Sequence, residues 1–386
     1  MSRSRLLFVV NADWFFVSHR LPLALAARRA GFEVAVCAGA SSARQRIEDE
    51  RLPFFPMPIS RGGTDPRDDV RTISSLVRTY RQWRPDIVHH VTIKPVLYGS
   101  LATRVAGVRR RVNAVSGLGS AFIDRGGGRD WARQALRLGL RQAYRGALSG
   151  VSTRTIFQNA DDLEGFVAAG IAPRRTARLV HGSGVSFERF AVSELPAGPP
   201  IVLLPARLLR DKGVLEFVEA ARILRPKFPD ARFVLVGRLD LENPTGIAAK
   251  EVAAWVADGL LEWWGAKEHD EMPGVYAAST LVVLPSYREG LPLALAEAAA
   301  CGRPVVTTNV PGCRDAVLAG ETGWVCAARD AASLTQAISD ALSAPDELRR
   351  RGCAGAAFAR GRFAVEHVVA QTLEIYDELL RANTRR

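Results

Sequence analysis

The chain reads as an α/β protein built from two doubly wound parallel-sheet domains. Three observations predict this. Short, continuous apolar runs alternate with helical patterns along the whole length, as expected of strands covered on both faces. The alternation pauses at a Pro/Gly-rich segment, Ser193-Glu194-Leu195-Pro196-Ala197-Gly198-Pro199-Pro200, and then restarts. With 386 residues, two domains are the default.

In the first half, strands are expected at 6–10, 34–37, 87–89, 112–115 and 155–157. Helical patterns lie between them at 19–30, 69–83, 96–106, 130–148 and 160–169. The second half repeats the plan, with strands at 201–204, 233–236, 281–284 and 304–307. Its helices are expected near 214–224, 246–257, 292–300 and 331–341, and 364–381 reads as a closing helix. The expected divisions are 1–192, 193–363 and 364–386.

Composition narrows the function classes. No apolar stretch reaches the roughly 18 residues of a membrane span, and Leu6-Leu7-Phe8-Val9-Val10 reads as a first strand, not a signal peptide. Cys37, Cys301, Cys313, Cys326 and Cys353 are scattered without a Cys-x-x-Cys, which points to a reduced, cytosolic compartment and no structural zinc. The net charge of +12 fits a polyanionic partner: nucleic acid, anionic lipid or a phosphorylated substrate. An arginine-rich codon bias would give the same charge. No zinc knuckle, aromatic RNA-binding signature or helix-turn-helix pattern supports nucleic acid. No G-x-G-x-x-G follows an opening strand, which argues against a nicotinamide dehydrogenase.

The most informative pair is Glu289 and Glu297. The apolar run 281–284 reads as a buried strand, Gly290 and Pro292 break it, and a helix follows. Glu289 therefore belongs to a loop at a strand's carboxyl end, where open α/β sheets bind ligands. Glu297 lies inside the helix. The helix start, near Gly290 and Leu291, offers free N–H groups to an anion such as a diphosphate. Two solvated glutamates are the plain alternative. After the strand at 201–204 comes Ala206-Arg207-Leu208-Leu209-Arg210-Asp211-Lys212-Gly213. Arg207 and Lys212 could stabilise charge growing on a leaving phosphate, or form a solvated basic loop.

These segments resemble the EX7E and Arg…Lys-Gly elements of retaining glycosyltransferases of family 4, and the two-domain plan resembles their GT-B fold over nearly the whole chain. The resemblance implies a cleft between facing sheet edges and a last helix that crosses back to the first domain. It implies that Glu289 faces the donor sugar, Glu297 holds the nucleotide ribose, and Arg207 and Lys212 meet the donor phosphates. Glu262-Trp263-Trp264-Gly265 resembles the stretch that holds the base, with Trp264 and Gly265 nearer it than Trp263, and Gly237-Arg238 fits a donor-lining loop. The Trp pair is equally compatible with a core position.

In the first half, the string from Phe15 to Ala24 looks like bacterial polysaccharide glycosyltransferases acting on lipid-linked intermediates. Asn11, Asp13, Ser18 and His19 stand where family members usually carry a glycine pair, and His19 is expected to begin a helix. His89, Thr92 and Lys94 end another strand. Ser116 and Gly117 occupy the turn where many members have a histidine. All are expected to line an acceptor site. Arg129, Arg133, Arg137, Arg141 and Arg145 recur every four residues on one broad helical face, with Leu138 among the apolar residues opposite. That face is either solvated or a patch for anionic lipid or acceptor phosphates.

The reading is a retaining enzyme that moves a hexose, N-acetylated for preference, from a UDP-sugar to a polyprenyl-diphosphate-linked sugar. It would work on the inner face of the cell membrane, with no metal or other cofactor and no nucleic acid. The alternatives are a UDP-sugar 2-epimerase-like isomerase on the same fold, or a non-catalytic nucleotide-sugar or lipid-binding subunit.

Overall fold

A computed structural model describes residues 3–59, 65–116, 131–241 and 243–382. It divides into two compact units, Met1–Ser183 with Val365–Arg386, and Gly184–Ala364.

The first unit is a seven-stranded sheet of β1 (Arg5–Val10), β2 (Glu33–Ala38), β3 (Phe54–Pro56), β4 (Ile87–Val91), β5 (Arg110–Val115), β6 (Thr153–Phe157) and β7 (Ala177–Leu179). The order is β3-β2-β1-β4-β5-β6-β7, parallel throughout. Its helices are α1 (Asp13–His19), α2 (Leu21–Arg29), α3 (Arg44–Asp49), α4 (Pro66–Trp83), α5 (Ile93–Ala106), α6 (Trp131–Leu148) and α7 (Ala160–Ala168). The helix expected at 19–30 is α2, and α1 ahead of it was not expected. Pro22 sits in the first turn of α2, where its missing N–H costs nothing, but its ring would clash with a helix continuing from before it. The chain breaks at Arg20, and His19 ends α1 instead of beginning a helix.

The second unit repeats the design with β8 (Ile201–Pro205), β9 (Arg232–Val236), β10 (Glu262–Trp263), β11 (Leu281–Leu284), β12 (Val305–Thr308) and β13 (Gly323–Cys326). The order is β10-β9-β8-β11-β12-β13, again parallel. Its helices are α8 (Val214–Leu224), α9 (Ala249–Ala257), α10 (Met272–Ala277), α11 (Leu293–Ala300), α12 (Ala331–Leu342) and α13 (Pro345–Phe363). In each sheet the strand order reverses once, between β1 and β4 and between β8 and β11. Crossovers leave those points in opposite directions, and the strand ends open a crevice there.

The last helix, α14 (Val365–Arg381), belongs to the first unit. Its Val368, Ile375, Tyr376 and Leu379 share a core with Leu6, Phe8 and Val36. Glu378 accepts from Arg154 at 2.7 Å and from Arg178 at 2.8 Å.

The division falls at 183/184, not at 192/193. The Pro/Gly-rich segment is fastened to the second unit by Arg303, which is fully buried and donates to the Ser193 carbonyl at 2.5 Å and the Glu194 carbonyl at 2.8 Å. The crossings at 183/184 and 364/365 lie next to bonded backbone instead: Val185 N–H donates to the Phe363 carbonyl at 2.8 Å.

Candidate active site

The switch point of the second sheet gathers the charged residues that follow β8 and β11. Gly213, ahead of α8, has φ +73, and a Cβ there would lie 2.2 Å from the Pro285 carbonyl oxygen. Only glycine lets the two loops press together so closely. Tyr287 N–H then donates to the Asp211 carbonyl at 3.0 Å. The outcome is an ion pair, Lys212 Nζ on Glu289 Oε1. The same oxygen accepts from Ser286 Oγ at 2.7 Å. The two side chains are 21% and 13% exposed, so solvent screens the pair weakly.

The loop after β12 supports this pair: Glu289 N–H donates to the Pro311 carbonyl at 3.2 Å. Nearby Cys313 is buried, and burial, with the Glu289 charge as a second cause, pushes its thiol up to about 12. It is therefore no nucleophile at neutral pH.

Arg207 donates to Asp240 Oδ2 at 2.8 Å. The close approach of the β8 and β9 loops requires Gly237, where φ is +153 and a Cβ would meet the Ala206 carbonyl oxygen at 1.8 Å. Arg238 is half-buried beside it. Gly237 N–H donates to the Gly265 carbonyl at 2.9 Å. The two tryptophans differ in burial. Trp264 bonds Glu262 at 2.9 Å and packs on the core, while the exposed Trp263 reaches the Gly237 carbonyl with its indole N–H at 2.9 Å. Alternating strand geometry explains this, since neighbours at a strand end point to opposite faces.

Glu297 lies about one turn into α11 and is 4% exposed. Tyr276 Oη donates to Oε2 at 3.0 Å, and His269 Nε2 lies 2.7 Å from Oε1. Burial, then the Glu297 charge, hold the Tyr276 hydroxyl well above its usual range, so it stays a donor. Gly290 is buried and Leu291 half-buried just ahead of the helix. Pro292 is the residue before its first turn, one position earlier than expected.

Sequence reasoning missed Asp240, Ser286, His269 and the loop after β12. Asp240 and Ser286 follow strand ends and were findable by that rule. His269 and Pro311 become neighbours of the glutamates only through tertiary packing.

The first unit treats the expected acceptor residues unevenly. Asp13 is fully buried and accepts from Trp14 N–H at 2.7 Å and Ser41 N–H at 2.5 Å, so it closes a loop instead of lining a surface. Ser18 Oγ donates to the Trp14 carbonyl at 3.0 Å and contacts His19 Nδ1 at 2.7 Å, and the His19 ring stacks on Phe15 at 4.0 Å. His89 is a core residue, stacked on Phe8 with Nδ1 2.5 Å from the Tyr376 hydroxyl. Burial first, then the Arg20 charge, hold it well below the usual histidine range, so it is neutral. Alternation along β4 exposes neither His89 nor the adjacent His90, because helices cover both faces of the sheet. Lys94 lies 3.7 Å from Asp69.

Asn11, Thr92 and Ser116 are placed differently. They follow β1, β4 and β5, neighbours across the switch point, and each has a buried side-chain oxygen without a partner among the described residues. Thr92 also holds φ +76, a conformation that β-branched residues rarely adopt. Gly117 and Arg129 lie outside the described residues, as do the side chains of Arg133 and Arg137. Arg141 is exposed and donates to the Ala169 carbonyl at 2.5 Å. Leu138 is 59% exposed, not buried on an apolar face opposite, because α6 turns Tyr144, Ala147 and Leu148 inward instead. Among the described residues, no group of three or more His, Cys, Asp or Glu gathers that could hold a metal ion.

Known proteins share this architecture. Residues 185–356 match the family model described as glycosyl transferases group 1, and residues 5–146 match glycosyl transferase 4-like. The chain is 26% identical to the N,N'-diacetylbacillosaminyl-diphospho-undecaprenol alpha-1,3-N-acetylgalactosaminyltransferase of Campylobacter jejuni, over 98% of this chain and 99% of that protein. It is also 26% identical to the UDP-Gal:alpha-D-GlcNAc-diphosphoundecaprenol alpha-1,3-galactosyltransferase of Escherichia coli, over 72% of this chain and 71% of that one. Among solved structures, the sucrose-phosphate synthase of Thermosynechococcus elongatus superposes with a TM-score of 0.80 at 20% identity, covering 98% of this chain and all of that chain (100%). Anabaena HepE in complex with UDP and glucose superposes with a TM-score of 0.76 at 18% identity, covering 97% and 100%. With the two family models matched one to each sheet unit, the chain belongs to the family 4-type, group 1 glycosyltransferases of GT-B fold.

Proposed function

We propose that the protein is a retaining glycosyltransferase that moves a hexose from a UDP-sugar to a sugar carried on a polyprenyl diphosphate. The observation that carries the reading is the Lys212–Glu289 pair at the switch point, with Arg207 on the neighbouring loop. The acceptor hydroxyl oxygen bonds the anomeric carbon on the face that the phosphate leaves, and its proton passes to the departing phosphate oxygen. Lys212 and Arg207 meet the negative charge that grows there, fixed in place by Glu289 and Asp240 before the reaction begins. In this reading Glu289 faces the donor sugar. Glu297 takes the ribose. No protein nucleophile is required, which agrees with the buried, protonated state of Cys313.

The names of the Campylobacter jejuni and Escherichia coli relatives support a lipid-linked acceptor, and the former supports an N-acetylated hexose. No helix of the described residues is long and apolar enough to cross a membrane. The reading therefore places the enzyme on an anionic bilayer surface, held by basic residues such as Arg141. Donor-binding needs no metal in this scheme, since fixed cations fill that role.

Incubation with a panel of UDP-sugars and extracted lipid-linked acceptors, followed by mass spectrometry, tests the reading. The acceptor should gain one hexosyl mass. Interconversion of UDP-sugars without an acceptor would favour the epimerase reading instead.

A further inference from the structure

Glu297 is a carboxylate inside a helix of leucines and alanines, and burying it is costly unless both oxygens find donors. One donor is the fully buried Tyr276 hydroxyl. The other comes from outside the core. His269 lies in the loop between β10 and α10, its side chain 24% exposed, with Nε2 2.7 Å from Glu297 Oε1. An ionised carboxylate only accepts, so Nε2 carries the hydrogen. The loop itself is anchored twice. Glu271 accepts from Glu268 N–H at 2.7 Å, and Arg189 pairs with Asp270. The ring also lies 5.4 Å from that of Phe190.

We propose that His269 is a positioning residue for nucleotide binding, acting through Glu297, which rests on the reading of Glu297 as the ribose ligand. The carboxylate plane has one remaining rotational freedom about its Cγ–Cδ bond. Tyr276 on one oxygen and His269 on the other fix that angle. Each oxygen keeps acceptor capacity, now held in a set geometry suited to a pair of adjacent hydroxyls. Without the histidine, Oε1 loses its donor and the carboxylate can turn. A vicinal diol would then be bound by an unfixed partner, and the ordering cost would fall on binding.

The test is calorimetry with UDP and with a uridine diphosphate whose ribose lacks both ring hydroxyls. His269→Phe keeps the contact with Phe190 but removes the donor, and should weaken UDP on the order of tenfold, the scale of one hydrogen bond to a charged group. The dideoxy analogue should bind wild type and variant alike, within about twofold. His269→Gln, whose amide can reach the Nε2 position, should restore most of the UDP affinity. His269→Asn, too short to reach, should resemble the phenylalanine variant and serves if that one does not fold. With substrates, KM for the donor should rise while kcat at saturation changes little. Equal loss for UDP and the analogue would overturn the proposal, as would unchanged UDP affinity in both His269→Phe and His269→Asn. Glu297→Gln separates the two layers. If it leaves UDP affinity intact, the ribose reading fails; if it weakens UDP while the His269 variants do not, only the role of His269 fails.

Discussion

Lys212 and Arg207 each arrive at the site already paired with a carboxylate, and this decides what their removal should do. A cation held in place by Glu289 or Asp240 needs no reorganisation when charge develops beside it, so its value lies in the transition state. Lys212→Ala and Arg207→Ala should each lower kcat by roughly 100-fold or more, about 3 kcal/mol, with a smaller change in donor KM. Steady-state kinetics at saturating acceptor measures both. Full kcat in either variant, with an unchanged fold, would remove that residue from the chemistry. Both residues were legible in the sequence because strand ends announce themselves through apolar runs and glycines. His269 was not, since its meaning depends on which residue of a distant loop it faces. His89 misled for the converse reason. A histidine at a strand end looks polar in sequence, yet Tyr376, 287 positions later, supplies a buried partner.

At the scale of elements, the alternation of apolar strands and helices placed the long strands and most helices within a few residues. It failed where a segment lacks the pattern. β3 and β7 are too short to show one. α13 was invisible because Gly352 and Gly355 interrupt it, yet glycine is required at 352, where a Cβ would meet the Gly302 carbonyl oxygen at 2.2 Å. The Pro/Gly-rich segment read as the start of a new domain because Pro and Gly mark a break, and composition cannot reveal a buried arginine 110 residues away that ties it down. Arg303→Met should therefore destabilise the second unit. It would leave the carbonyls of Ser193, Glu194 and Ser279 without their donor, at a cost of about 1–3 kcal/mol each where no water replaces it. Urea unfolding should show a lower midpoint for that unit, and an unchanged midpoint would mean that the segment is held by other contacts.

At the scale of the whole molecule, two properties follow from groups spread over the first unit. His89 and His90 are both buried and neutral. His90 contacts Asn113 Oδ1 with Nδ1 at 2.7 Å and the Tyr80 hydroxyl with Nε2 at 2.9 Å, and burial brings it down to about 3. Their folded values lie below the unfolded value of about 6.5, so below that pH the unfolded chain binds more protons. Stability should be intact above pH 6.5 and fall progressively toward about 3. A urea midpoint for the first unit that stays flat from pH 7 to pH 4 would contradict the burial of both rings. The second property is surface charge. Exposed arginines near an anionic bilayer contribute about 1 kcal/mol each, decaying within a Debye length. Replacing Arg133, Arg137 and Arg141 with glutamine should reduce co-sedimentation with anionic liposomes and leave activity on a water-soluble acceptor analogue nearly unchanged. Unchanged co-sedimentation would refute docking of the protein on a membrane through this face.

The central claim is transfer with retention from a UDP-sugar to a lipid-linked sugar at the switch-point site of the second unit. Nuclear magnetic resonance of the purified product tests it most directly, with an α-linked UDP-sugar as donor and a polyprenyl-diphosphate-linked sugar as acceptor. The account predicts a new α-glycosidic linkage on the acceptor, formed by the wild type and nearly abolished by Lys212→Ala. A β-linkage would contradict same-face attack, and a UDP-sugar altered without any gain on the acceptor would contradict transfer itself.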